Sequence, residues 1–403
     1  MSITELPVQP PSGPEQVAWL RENMAADGVQ HVEELHLWNV FTHAEAKQVL
    51  NDTVTFSSDL LSVQMPEHLR KKLGLIAEHN LARKDPPEHR GARNLFQQAF
   101  TARMVTRLEP RIREMTDELL DEAGTGRVDV VDKLTYPLPI TVIAELLGIP
   151  TADRDTFRWW VDTMIGASES DEEFAASPEA MEAAIDKMTG TVKKVEAYLL
   201  DHTLQRREAP LDDLISRLTQ ASVDGVRLSD DEVVGLAGMM LVAGHLTSTM
   251  LLGNCLHYLA THQDVQARLR ADRSLIGSAI EEILRMSPSV TRMPRITTAD
   301  VSLGGKTIPV NSIVMVWAAS ANRDPAVFAE PDRFIADRDP NPHLGFGHGI
   351  HFCLGASLAR LTTRVALEAV FDRYPSFTAE AGGVEFHDNP NMVGLKKLVV
   401  TTS

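Results

Sequence analysis

Apolar residues recur at three- and four-residue intervals along most of the chain up to about position 285, a spacing that predicts helices. PEQVAWLRENMAADG carries this pattern and closes on Gly28. TARMVTRLEPRIREMTDELLDEAGTG predicts a helix ending at Gly124, with Pro110 as a boundary or kink. DPPEHRGAR reads as a helix start, with Asp85 as cap, prolines in the first turn and Glu88 at the third position. A long helical pattern then runs from Ser177 to Pro210. The stretch from Ser229 to His262 opens with Ser229 and Glu232, spaced to cap each other, and is apolar on nearly every face. It predicts a central buried helix.

After Ser287 the pattern changes. ADVSLGGKTIPVNSIVMVWAAS alternates around a Gly-Gly turn, as a small hairpin would. ANRDPAVFAEPDRFIADRDPNPHLGFGHG is rich in Pro, Asp and Asn and predicts a long irregular loop. LGASLARLTTRVALEAVFDRYP returns to helical spacing. No fixed-period repeat is evident. The first fourteen residues hold four prolines and predict a loose arm over 1–14. Residues 15–403 then form one domain, mainly α with a minor β component.

The balance of 43% hydrophobic and 24% charged residues is that of an ordinary globular protein, and 403 residues suffice to enclose a cofactor. A net charge of −17 argues against nucleic acid and anionic membrane as main partners. The N-terminus lacks a basic start followed by an apolar run, so no signal peptide is expected. The strongly apolar stretch near Leu236–Ala243 is too short to be a membrane anchor. With no secretory context, Cys255 and Cys353 are not expected to pair, and the expected compartment is the cytoplasm.

Cys353 lies in FGHGIHFCLG, just before a helix predicted to begin near Leu354–Gly355. Amides at a helix start favour a thiolate, the form in which sulfur ligates metals. The glycines permit turns closed to other residues and close approach of a flat ligand. Composition alone favours a buried free cysteine in a loop, the usual fate of a lone Cys. The ordered string F-x-x-G-x-x-x-C-x-G, matched by Phe346, Gly349, Cys353 and Gly355, resembles the haem-ligand loop of the cytochrome P450 family.

The resemblance implies the cytochrome P450 fold, with haem b buried between the long central helix and the cysteine loop and Cys353 as axial ligand of the iron. Glu282 and Arg285, by themselves a weak E-x-x-R, match with Arg338 a structural triad of that family. His89, Arg93, Arg295 and His351 match positions that hold the haem propionates, and four donors to two carboxylates make physical sense. LVAGHLTST places Ala243, Gly244 and Thr247 where the family handles dioxygen and protons. Small side chains at Ala243 and Gly244 would let the macrocycle lie against the helix. Leu246 occupies the position at which the family usually has an acid, and leucine cannot relay a proton. His245 is one helix step away.

No dinucleotide-binding pattern is present, so the resemblance implies electrons from a ferredoxin and its reductase. Arg360 and Arg364, following Cys353, offer a local positive patch for an acidic partner. The implied activity is a haem-thiolate monooxygenase that oxidises, and most simply hydroxylates, a medium-sized lipophilic molecule in secondary metabolism. The implied state is a monomer. An aryl-coupling or peroxide-using enzyme and a non-catalytic haem sensor are the alternatives. Leu60–Leu81, Trp159–Ile165, Met240–Ala243, Val290–Met293 and Met392 would wall the substrate pocket.

Overall fold

The computed structural model describes residues 10–153, 156, 159–160, 163, 178–223 and 225–403. The arm expected over 1–14 and the wall expected over Trp159–Ile165 lie mostly outside them. Helices predominate, and the chain divides into two units. One comprises residues up to Ser58, Arg111–Pro137 and Thr247–Ser403; the other comprises Asp59–Pro110 and Leu138–Leu246. This is the α-rich, β-poor architecture expected from the sequence.

The first unit is built on a five-stranded sheet in the order Val29–Val32, Leu37–Val40, Ile313–Val316, Met293–Thr297, Phe56–Ser57. The strand Ile313–Val316 runs parallel to Leu37–Val40 and antiparallel to Met293–Thr297, with Val314 opposite both Trp38 and Arg295. Val40, Phe56, Val314 and Val316 pack with Ala46, Val49, Leu50 and Ile308 into one buried cluster. The two N-terminal strands fall where the sequence pattern predicts mostly helix. They are four residues each; Leu37–Val40 pairs with a strand some 275 positions on and Val29–Val32 pairs with Leu37–Val40, so no local periodicity marks them. The hairpin predicted around Gly304-Gly305 is present as Val301–Leu303 paired with Lys306–Ile308. Near the C-terminus Phe377–Phe386 and Leu395–Thr402 pair, and the latter also pairs with Arg127–Asp129.

The second unit holds helices Glu88–Ala99, Ala102–Arg107, Pro137–Leu147, Pro178–Glu208 and Leu214–Gln220, apart from the first residue of Pro137–Leu147. The helix expected to start at Asp85 starts at Glu88, after Pro87. The Asp85 backbone carbonyl accepts the His89 N–H (3.0 Å), the first bond of that helix. At Pro110 the predicted single helix is two: Ala102–Arg107 and Glu109–Ala123, with the proline in the first turn of the second.

The central helix spans Asp230–Thr261, with its residues to Leu246 in the second unit and the rest in the first. Its start is the reciprocal cap that the sequence predicts: the Ser229 N–H donates to Glu232 (2.8 Å) and the Glu232 N–H to Ser229 Oγ (3.2 Å). By length and composition it is the one helix among the described residues able to cross a membrane, but 72% of its most apolar window is buried in protein. It is a core helix.

The irregular loop after Ala321 is held by side chains, because it has few backbone partners of its own. Glu282 and Arg285, on helix Ile276–Met286, are fully buried. Arg285 forms a two-pronged pair with Glu282 (2.8 and 2.8 Å) and donates to the carbonyls of Asn322 and Pro331. Arg338 Nε reaches both carboxylate oxygens of Glu282 at 3.0 Å, and its other nitrogens donate to the carbonyls of Ala329, Glu330 and Arg333. The Ile335 amide completes the set at 3.0 Å. Burial opposes the Glu282 charge, but these donors outweigh it and hold the carboxyl below its usual range. In ANRDP, Asn322 Oδ1 accepts the Leu344 amide, Arg323 pairs with Asp332, and Asp324 accepts the His43 amide.

Replacing Glu282 by Ala leaves two guanidinium groups around an emptied site. Loss of one partner from a buried pair costs roughly 3–5 kcal/mol. The expected outcome is a denaturant midpoint lowered accordingly, with the loop around Arg338 becoming the first site of limited proteolysis.

Candidate cofactor site

Cys353 ends a tight loop whose backbone is fixed at several points. The Cys353 N–H donates to the Phe346 carbonyl (2.8 Å), Gly347 N–H to Leu344 (2.9 Å) and Phe352 N–H to Gly349 (3.1 Å). Gly349 has φ +67°, and a Cβ there would sit 2.8 Å from the Leu50 carbonyl. Only glycine fits this position. The following helix runs Ala356–Arg373, with Gly355 at its cap, one residue beyond the predicted start. A Cβ on Gly355 would come within 4.0 Å of Cys353 Sγ. Cys353 is exposed, whereas Cys255 is buried and its thiol is pushed well up by that burial. An exposed sulfur beside the amides of a helix start is the one suited to act as a thiolate.

In the same unit, Arg295 lies at the centre of strand Met293–Thr297, buried to 5%, with Nη1 donating to the Pro294 carbonyl. His351, two residues before the cysteine, meets Ser58 Oγ through Nε2 at 3.0 Å. In the other unit, His89 and Arg93 lie four apart on helix Glu88–Ala99. Burial, aided by the Arg93 charge, holds His89 below its usual pKa, so it is a neutral imidazole at pH 7.

The central helix carries Ala243, Gly244, Leu246 and Thr247. The Thr247 carbonyl accepts a hydrogen bond from Ser289 Oγ (2.8 Å), a donor from outside the helix. This draws on an acceptor the helix would otherwise use internally. Leu246 is buried and apolar, and His245 is fully buried. A Cβ on Gly244 would meet Ile143 Cδ1 at 2.9 Å, so a side chain there would crowd helix Pro137–Leu147.

The family question is settled by comparison. The model of the cytochrome P450 family matches residues 33–401. The chain belongs to the cytochrome P450 family. It is 39% identical to the cyclomarin C epoxidase CymV of Salinispora arenicola over 94% of both chains. It is 41% identical to the erythromycin C-12 hydroxylase of Saccharopolyspora erythraea, covering 85% of this chain and 83% of that one. The crystal structure of HmtT, involved in himastatin biosynthesis, overlays with a TM-score of 0.86 at 42% identity, covering 96% of each chain. The protein is a P450 monooxygenase, an oxidoreductase whose cofactor is haem b. Its residues fit that group: a soft sulfur donor in a glycine-relieved loop, and a buried guanidinium of the kind that takes a carboxylate.

Around the P450 cysteine loop the structure also places residues that sequence reasoning missed. Glu281, next to the triad glutamate, accepts from Arg360 Nε and Nη2 (2.7 Å each) and from His343 Nε2 (3.1 Å). Burial would raise its pKa, but those donors pull it down to about 2. Glu281 therefore adds stability that is complete above the usual glutamate pKa and is lost as pH falls toward 2. Its partners lie 62 and 79 positions away, so spacing gives no signal. The positive patch expected from Arg360 and Arg364 is correspondingly weakened, since Arg364 pairs with Glu368 at 3.0 Å.

The expected pocket walls can be placed within each unit. In the first, Val290 bridges to Met392 and the Thr291 amide donates to the Asn391 carbonyl, which brings two of the segments together. In the second, Met65, Leu69 and Leu73 pack on Ile185 and Met188 of helix Pro178–Glu208, so part of Leu60–Leu81 faces that helix. The turn Gly74–Glu78 is capped by Glu196, which accepts the Ile76 amide (3.1 Å) and is raised in pKa by burial. This turn also rests on the central helix. A Cβ on Gly235 would strike the Leu75 carbonyl at 2.7 Å, and one on Gly238 would strike Ile76 Cγ1 at 2.5 Å.

The two glycines make a graded prediction. Gly235→Ala meets backbone and should displace the turn, costing about 1–3 kcal/mol. Gly238→Ala meets a side chain that can rotate and should cost less. Hydrogen exchange at residues 75–79 should accelerate in the first variant more than in the second.

Proposed function

We propose that this P450 inserts one oxygen atom into a medium-sized lipophilic molecule of secondary metabolism, with electrons from a separate ferredoxin and its reductase. The observation that carries the reading is Cys353, an exposed sulfur in a loop fixed by Phe346 and the glycines. The relatives named as an epoxidase and a hydroxylase support oxidation of a small organic substrate. The cytoplasm is the compartment that fits this chemistry.

Haem bound through a thiolate supplies reductive activation of dioxygen. The chain's own residues do the rest. Cys353 would hold the iron through its sulfur. Arg295, His351, His89 and Arg93 are donors of the kind that would hold the propionates. The triad of Glu282, Arg285 and Arg338 holds the loop that leads into Phe346, while Gly349 lets that loop press against Leu50. Residues 15–403 act as one catalytic domain. Ala243 leaves room on the central helix, and the Thr247 hydroxyl orders the water that carries protons.

The first test is optical and chemical. Cys353→Ser should abolish the thiolate-type ferrous–CO band and lower turnover by at least about 100-fold, the scale of losing an essential catalytic group. Screening lipophilic metabolites by the Soret shift should yield ligands whose products gain one oxygen. Products lacking two hydrogens would point instead to coupling, and haem binding without product to a sensor.

The second test concerns proton delivery. With Leu246 buried where an acid is usual, the Thr247 hydroxyl must be supplied by water or by the substrate itself. Leu246→Glu should raise the product formed per NAD(P)H consumed. An unchanged ratio would show that delivery is already complete without an acid there.

A further inference from the structure

Arg360 sits in the second turn of helix Ala356–Arg373 and its side chain is 39% exposed. That placement invites a role in docking an acidic partner. Two of its donors are already committed. Nε and Nη2 hold the two oxygens of Glu281 at 2.7 Å each, a fork-to-fork geometry. His343 Nε2 contacts the same carboxylate at 3.1 Å, and His343 Nδ1 accepts the Gly345 amide at 3.1 Å, which fixes the ring. The carboxylate is thus braced from two sides. The Arg360 guanidinium lies 4.6 Å from the centre of the Phe346 ring, within cation–π range. The Phe346 carbonyl takes the Cys353 N–H at 2.8 Å.

These contacts form one series: Glu281 and His343 fix Arg360, Arg360 fixes Phe346, and Phe346 fixes the backbone of Cys353. We infer that Arg360 is a positioning residue for the cysteine ligand and not a docking residue for the electron donor. The inference rests on the haem-thiolate reading above. Only arginine suits the position. Its planar fork binds the carboxylate edge-on while its face covers the aromatic ring, whereas a lysine ammonium can do one or the other. Outer partners that orient a ligand have this character in metal sites generally. Glu281 shares helix Ile276–Met286 with Glu282, so one helix braces both the loop before the cysteine and the helix after it.

The test uses the haem-loaded full chain and the variants Arg360→Gln, Arg360→Lys and Glu281→Gln. Three quantities are read: the rate at which the thiolate-type ferrous–CO band converts to the thiol type in mild urea, the reduction potential, and the half-saturating concentration of a plant-type [2Fe–2S] ferredoxin. Arg360→Gln and Glu281→Gln should convert about tenfold faster, the scale of one lost charge-assisted hydrogen bond, with Arg360→Lys in between. Their potentials should shift, and ferredoxin half-saturation should stay within about twofold, since docking is not the role. Wild-type conversion rates and potentials would overturn the inference, whether ferredoxin half-saturation rises or not, and a rise would assign Arg360 to docking. If Arg360→Gln fails to take up haem, the graded Arg360→Lys response decides. A wild type without the thiolate band would sink the haem-thiolate reading itself; a wild type with the band and indifferent variants would sink only this inference.

Discussion

A fully buried carboxylate at Glu282 is the constraint on which the cysteine side of the protein depends. An ionised carboxylate out of water is tolerable only if every lone pair is met. Arg285, Arg338 and the Ile335 amide meet them, and each arginine then has donors left over. Those donors seek backbone carbonyls, and the nearest belong to the irregular loop from Asn322 to Arg333. A segment with no ladder of its own thereby gains a fixed course. The buried charge does not add stability so much as specify where this loop goes.

The fixed course matters because the loop delivers Phe346 and Cys353. Leu344 is tied to Asn322, and the turn from Leu344 to Gly347 leads directly into the cysteine hairpin. A thiolate ligand needs a sulfur presented at one place with helix-start amides behind it. Glycine at 349 lets the loop press against Leu50 in a conformation other residues cannot hold. Charge satisfaction in the interior and backbone freedom in the loop therefore act on the same few ångströms of chain.

This explains which features were legible in the sequence. Where a physical demand singles out residue types at fixed local spacing, the reading was direct: the Ser229–Glu232 cap, the Gly304-Gly305 hairpin, and the F-x-x-G-x-x-x-C-x-G loop. Where the demand is met across long separations, nothing local announced it. Strand Leu37–Val40, and Val29–Val32 through it, depend on a strand some 275 residues on, and Glu281 finds His343 and Arg360 only in three dimensions. Gly244 was legible as a residue needing a reason, but two reasons were open to it. The structure shows one of them, close contact with Ile143. The substrate walls are silent for a different cause: apolar side chains lining a pocket and apolar side chains packing on a neighbour obey the same rule, as Leu69 and Leu73 against Ile185 show.

The central helix poses the remaining physical problem. Oxygen chemistry at a haem consumes protons, yet the helix segment at Leu246 is buried and apolar, and Thr249 Oγ1 is buried with no hydrogen-bond partner among the described residues. A side chain that cannot ionise leaves proton traffic to hydroxyls and water, which transfer protons only when aligned. At Thr247, Ser289 Oγ donates to the backbone carbonyl from outside the helix. A polar group on a well-fitted substrate can complete such a chain; a poorly fitted molecule cannot. On the proposed reading, leucine in place of a built-in acid ties proton supply to substrate fit, so that selectivity and efficient use of electrons become one property of the bound complex.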